Sequence, residues 1–421
     1  MSRPARRSAD IVVVGAGPAG AAAALLLARA GLDTLLLDRR DFPRAKPCGD
    51  CMSAATTRIL DRLGLRAAVE AARPARLTGW RIVAPAGHAL HGRFDRYAED
   101  DEGARRALAL PRERLDAIIV RGARDAGAEL RTGVHVTDLL RDAAGAVTGV
   151  VARDVDAGAL EIRARLVIGA DGLRSIVARR LRLLRRSPRL RKLSLTTHVR
   201  GVAGVGTLGE MHLADRACLG LAPVEDGADP LCNLTLVVDA DRFGRDLADG
   251  ARAFLRRALL WFPELAPRLA AADLDGPLLA SGPFDWPTRD VVAPGAALVG
   301  DAAGYYDPFT GQGIFQALAA AELAAEDARR ALKTSARPPL LRHYAAARHR
   351  LLRGPRALQH TIEWILSRPA LADAAIARLA HAPPLADAVI AATGDLVPVR
   401  TLLRPALLLN VLRHDSPESC R

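Results

Sequence analysis

The stretch DIVVVGAGPAGAAAALLLARAGLDTLLLDR, residues 10–39, decides the fold. Residues 10–14 form a short apolar strand pattern, GAGPAG interrupts it, and a run of good helix formers follows and closes at Gly31. The strand pattern resumes in DTLLLDR and ends at Asp38, so the whole stretch reads as a βαβ unit. Gly15, Gly17 and Gly20 fit G-x-G-x-x-G. The first glycine permits a tight turn, the second lets a pyrophosphate approach, and the third allows close helix–strand packing. The helix start, with Ala19 in its first turn, offers free N–H groups and the positive end of a dipole to phosphates. Asp38 stands 23 residues after Gly15, where a ribose hydroxyl needs an acceptor, and Arg39 adjoins it. A glycine turn without a ligand is the alternative reading, and the placement between strand and helix argues against it.

Working outward, the chain has 421 residues, half of them apolar, enough for two or three structural units. Residues 11–28 are apolar for long enough to mimic a membrane span, but Gly15, Gly17, Pro18 and Gly20 cut that run into strand, turn and helix. The five cysteines (Cys48, Cys51, Cys218, Cys232 and Cys420) are odd in number and scattered, and MSRPARRSAD has no cleavable signal layout. Both features lead us to expect free thiols in a reducing cytoplasm. A formal charge of +13 raises the question of nucleic acid, yet the arginines are spread evenly and only 4% of residues are aromatic, so no nucleic-acid partner is expected. Compositional bias explains that charge, and attraction to an anionic membrane surface is its functional reading.

Further along, residues 78–94 break into short strand pieces, and residues 110–130 read as a helix with Leu115, Ile118, Ile119 and Ala123 on one side. GVHVTDLLRD, AVTGVVARD and LEIRARLVIGADG predict a small antiparallel meander that returns to the parallel sheet. Residues 192–240 are mostly strands, 246–272 a helix, and AALVGDAAGYYDPFTGQGIFQALAAAELAAEDARRAL strand, loop and long helix. Helical segments with Pro breaks follow from Pro338 and end in the apolar ALLLNVL.

GAGPAG, LVIGADGLRSIVARRL and ALVGDAAGYYDPFTGQGI, in this order, resemble the FAD-containing superfamily of aromatic hydroxylases, flavin-dependent halogenases and geranylgeranyl reductases, over roughly residues 8–335. The resemblance implies an α/β, doubly wound, Rossmann-like FAD-binding domain assembled from 8–75, 105–180 and 290–335. It also implies a β-rich substrate domain from 76–104 and 181–289 and a helical C-terminal region, 336–421. It maps a ribityl contact onto Asp301 beside Gly300, and places backbone N–H groups of Gly311, Gln312 and Gly313 near the flavin ring. A helix start there would stabilise the anionic reduced flavin. Asp171 and Gly172 map to flavin and nicotinamide handling, and Arg112 to the arginine that approaches the cofactor, with a solvated helix-start charge as its alternative.

PRAKPCGD, which follows the second strand, matches the K-x-C-G loop that lies against the flavin in the geranylgeranyl reductase branch, so Lys46, Cys48 and Gly49 are cofactor-binding candidates. Cys48 with Cys51 could also suggest a metal or a dithiol, but no second Cys pair or nearby His completes a zinc site, and none is expected. Cys51 reads as a small buried residue. The halogenase motif W-x-W-x-I-P is missing, and CLGLAPVEDG keeps only the proline of the prenyl-reductase motif Y-x-W-x-F-P. Tyr305, Tyr306 and Phe309 bring aromatic rings beside the expected flavin face, either to stack on a planar substrate or to pack the loop. His198 and His212 read as structural or exposed. Cys48, Tyr305 and Tyr306 are the catalytic candidates, although the flavin itself carries the chemistry.

The implied activity is that of an FAD-dependent oxidoreductase using NADPH or NADH. Monooxygenation of a hydrophobic aromatic, polyketide or isoprenoid-type small molecule comes first. Reduction of isoprenoid C=C bonds comes second, and a non-catalytic flavin-binding scaffold third.

Overall fold

The computed structural model describes residues 8–97, 106–155, 157–185, 190–274, 276–334 and 338–407. Most of the apolar ending, residues 408–412, and Cys420 lie outside them. Ser8–Val14 and Thr34–Leu37 form parallel strands in which Ile11, Val12, Val13, Leu35 and Leu36 are fully buried, as strands covered on both faces require. The parallel order runs Ala296–Leu298, Gly158–Gly169, Ser8–Val14, Thr34–Leu37, Glu129–Arg131. Gly158–Gly169 does two jobs. Its first half pairs antiparallel with Val147–Asp154, and its second half runs parallel to Ser8–Val14, which is how the meander rejoins the sheet.

The Ala-rich helix Pro18–Arg29 packs between helices Arg112–Asp125 and Gly313–Thr334, and its fully buried Ala21, Ala22, Ala23 and Ala24 permit that close approach. A second sheet takes the order Leu279–Ser281, Lys192–Val199, Cys232–Asp239, Ala217–Pro223, Leu208–Ala214, Gly79–Val83, Ala89–Arg93. Helices Pro369–Ala380 and Pro383–Thr393 cover its last strand, and a Cβ on Gly92 would meet Ile390 Cγ1 at 2.3 Å. Among the described residues no helix is long and apolar enough to cross a membrane.

Three sequence expectations change. The helix expected over 110–130 ends at Asp125, because Gly127 turns the chain at φ 99° and Glu129–Arg131 joins the parallel sheet. The helix expected over 246–272 is two helices, Ala240–Ala248 and Ala251–Ala258, separated by Gly250. Asp239 caps the first by accepting from Asp241 N at 2.8 Å, and the 3-10 turn Leu259–Trp261 stops before Pro263, which disfavours helix at Phe262. Pro355 lies inside helix Arg342–Leu366 instead of ending it, with Leu352 and Leu358 buried on either side.

Candidate functional site

The site opens on the glycine turn. Gly15 adopts φ 98°, and a Cβ on it would meet the carbonyl of Ala170 at 2.5 Å; one on Gly20 would strike the Gly15 carbonyl at 1.9 Å. Only glycine fits either place. Gly17 precedes the helix, and Ala19 faces Gly300, whose added Cβ would stand 2.9 Å from the Ala19 Cβ. The first and last motifs therefore touch, leaving the backbone cradle that a pyrophosphate needs, and the residues present fit an FAD.

Asp38 is buried and holds this turn: its carboxylate accepts from Ala16 N at 2.8 Å and Arg40 N at 3.0 Å. Arg39 is exposed, and it is Arg44 whose side chain reaches Asp38 at 3.4 Å and Asp116 at 3.7 Å. The Asp171 carboxylate accepts from Ser175 Oγ at 2.5 Å and Ile176 N at 2.6 Å, capping helix Ile176–Arg180, so it is engaged within its own loop. Burial raises its pKa against those hydrogen bonds. Gly172 follows at φ 81°.

The PRAKPCGD loop lies across the opposite wall, where Lys46 Nζ stands 3.9 Å from Asp301. Arg112 is not a solvated charge. It is buried, clamps Asp116 through two hydrogen bonds of 2.8 and 3.0 Å, and adjoins the Cys48 thiol. Burial opposes its charge, but Asp116 and Cys48 outweigh that and raise its pKa. Burial likewise pushes the Cys48 thiol up, more than Arg112 pulls it down, so Cys48 carries its proton at neutral pH. Gly49 has open space around its Cα. Cys51 begins the short strand Cys51–Met52, where burial pushes its thiol up as well.

Sequence reading missed the hub of this wall, Asp50. At φ 60° and 1% exposure, its carboxylate accepts from Arg112 N at 3.0 Å, Asn233 Nδ2 at 2.7 Å and His198 Nε2 at 2.6 Å. Asn233 also donates to the Cys48 carbonyl at 2.7 Å and receives Thr235 Oγ1 at 2.7 Å. His198 and Asn233 lie on paired strands of the second sheet, so Asp50 fastens the cysteine loop to that sheet. No local signal marks these partners; adjacency to KPCG was the one clue to Asp50. His212, by contrast, sits buried beside Glu210 in the second sheet, away from this hub.

The aromatic loop divides. Tyr305 lies within 3.4 Å of where a Gly313 Cβ would stand and packs edge-on to Phe284. Burial, then the charges of Asp301 and Asp307, raises its pKa well above 10, so it too keeps its proton. Tyr306 turns instead to His360, with ring centroids 4.2 Å apart, and burial first pushes its hydroxyl up to about 12. Phe309 packs on the cluster of Leu90 and Leu213. The three rings thus pack against three different neighbours, and Lys192, which pairs with Asp307 at 3.1 Å and with Glu363, ties the loop between them to the second sheet and to helix Arg342–Leu366. Gly311 adopts φ 68° before the helix start, and buried Gln312 donates to Asp395 at 2.5 Å. Burial lifts Asp395 to about 7.

A glycine turn between strand and helix, closed by the last motif where Gly300 meets Ala19, is the cradle of an FAD-binding enzyme fold. Residues 8–205 match the FAD binding domain family. The chain is 32% identical over 343 residues to menaquinone reductase of Mycolicibacterium smegmatis, covering 76% of each chain. It is 30% identical over 345 residues to digeranylgeranylglycerophospholipid reductase 1 of Methanopyrus kandleri, covering 77% of this chain and 81% of that one. The flavin-dependent brominase Bmp2 has the same fold, with a TM-score of 0.78 at 20% identity over 97% of this chain and 98% of that chain. The chain belongs to the FAD-dependent oxidoreductase superfamily that includes geranylgeranyl reductases, halogenases and aromatic monooxygenases.

Proposed function

We propose that the protein is an FAD-dependent reductase that adds hydrogen across a C=C bond in the isoprenoid chain of a lipid-soluble molecule, a polyprenyl quinone or a prenyl lipid. The observation that carries this reading is the Cys48 thiol held beside the Arg112 guanidinium, in the loop whose Lys46 reaches Asp301 at 3.9 Å. Saturating an alkene needs a hydride on one carbon and a proton on the other. FAD, when bound, supplies the hydride, and NADPH or NADH replaces it. Cys48 gives its proton to the second carbon, the neighbouring Arg112 guanidinium steadies the thiolate left behind, and solvent returns the proton. Lys46 holds Asp301 in place, and the Asp50 hub keeps Cys48 beside Arg112. The names of the two similar reductases support the substrate class, and a charge of +13 suits a protein that meets its substrate at an anionic bilayer surface.

The test is single turnover with the reduced, FAD-loaded protein and a polyprenyl quinone in detergent micelles without oxygen, read by product mass. A gain of two hydrogens that persists after the quinone head group has been reoxidised in air is expected, since quinol formation alone is undone by that step. A gain of one oxygen in air and none of hydrogen would replace this reading with the monooxygenase one, and no mass change in either arm would leave a flavin-binding scaffold.

A further inference from the structure

Helix Arg342–Leu366 carries a buried cation, Arg348, that forms an ion pair with no acidic side chain among the described residues. Arg348 is 6% exposed; its Nη2 donates to the Ala303 carbonyl at 3.0 Å, and its Nε meets no acceptor. Among the described residues the one ionisable side chain that favours its charge is Tyr344, a phenol one turn away. Gln316, in the first turn of helix Gly313–Thr334, presents a buried Nε2 that also lacks an acceptor. Both side chains line one pocket, together with Gly300, Asp301, Tyr305 and Gly313. Arg356, two turns along the same helix, adds a second cation, which burial and then Arg348 pull down to about 10.

Burial pulls the pKa of Arg348 down, but a guanidinium does not lose its proton in a protein, so the charge stays. A buried charge left unpaired is costly, and the cost is offset where a negative group comes to meet it. Asp301 on the pocket wall faces Lys46. The start of a 22-residue helix adds its own positive end at the same place. Two unanswered donors and a helix N-terminus therefore converge on the wall formed by Gly300, Asp301 and Gly313, the residues onto which the family resemblance maps the flavin.

We propose that Arg348, assisted by Gln316, sets the charge of the pocket floor so that the site favours the reduced, negatively charged form of FAD over the oxidised form. Arg348 acts through its field, as a positioning residue. The inference rests on FAD binding and not on the C=C reductase reading, so a protein that saturates no alkene still tests it.

The measurement is the midpoint potential of the bound FAD in the full chain, by equilibrium titration against a reference dye. Arg348→Gln should cut the preference for reduced over oxidised FAD at least tenfold, a fall of about 30 mV for a two-electron couple. Arg348→Lys keeps the charge and should stay within about twofold of the wild-type preference. Gln316→Glu gives Arg348 a carboxylate without removing it, and should lower the preference by a similar tenfold. The pH at which the reduced spectrum changes from anionic to neutral flavin should rise in the same two variants. Unchanged potentials in Arg348→Gln and Gln316→Glu would overturn the proposal. So would an Arg348→Lys variant that falls as far as Arg348→Gln, since the bond to Ala303 would then matter and the charge would not. Should Arg348→Gln fail to retain FAD, Gln316→Glu decides alone.

Discussion

Replacing Asp50 by Asn keeps the size of the side chain and breaks its logic. One carboxylate oxygen accepts from Arg112 N and the other from both His198 and Asn233. An amide has one oxygen, so its NH2 must face a donor on one side or the other. Losing a charge-assisted hydrogen bond costs ~1.5–3 kcal/mol, and a buried donor left without an acceptor ~1–3 kcal/mol. The two overlap here, and about 3 kcal/mol of stability should go. Urea unfolding followed by tryptophan fluorescence reads this, with Trp80 in the second sheet as reporter; at a slope near 3 kcal/mol per M the midpoint drops by roughly 1 M.

The pH dependence carries a sign. Burial disfavours charged His198, but the hydrogen bond and charge of Asp50 outweigh it, so its folded pKa is raised. A raised pKa contributes stability that is complete below the unfolded value, about 6.5, and is lost as pH rises through the folded one. The gap between wild type and Asp50→Asn should therefore be wider at about pH 6 than at about pH 9. A gap under ~0.5 kcal/mol, or one that widens with pH, would refute the hub.

Cys48→Ala should retain FAD and lose about 100-fold or more in single-turnover rate, the usual contribution of a positioned acid; undiminished turnover would remove Cys48 from the chemistry. Asp301→Ala should weaken FAD retention on gel filtration, and full occupancy there would contradict its mapped contact. Gly20→Ala pushes a methyl against the Gly15 carbonyl and should cost ~1–3 kcal/mol or more together with bound FAD. Gly49→Ala meets no protein atom within 4 Å and should leave the melting temperature unchanged, so an equal loss of stability in the two glycine variants in a thermal melt would undo the close-packing argument.

Periodicity and glycine placement were enough to read the βαβ unit, the meander and the long helix after GYYDPFTGQG, because each is decided by residues within a few positions of one another. The same locality explains the errors. The 110–130 pattern is apolar on one side through to its end, yet Gly127 and pairing with Thr34–Leu37 turn its tail into a strand. Arg39 and Arg44 are equivalent as residue types near Asp38, and only the path of the loop selects Arg44.

What the sequence determined by itself was the glycine turn: Gly15, Gly17, Gly20 and Asp38 are close in the chain, and their geometry follows from backbone sterics and one short turn. What the tertiary structure alone decided was the chemistry of the facing wall. Asp50 meets Arg112, Asn233 and His198 from positions 62, 183 and 148 residues away, and Arg348 reaches Ala303 across 45. Whether a carboxylate, a thiol or a guanidinium is paired, protonated or left unanswered depends on burial and on such distant partners. Neither exists until the two sheets and the C-terminal helix have packed together.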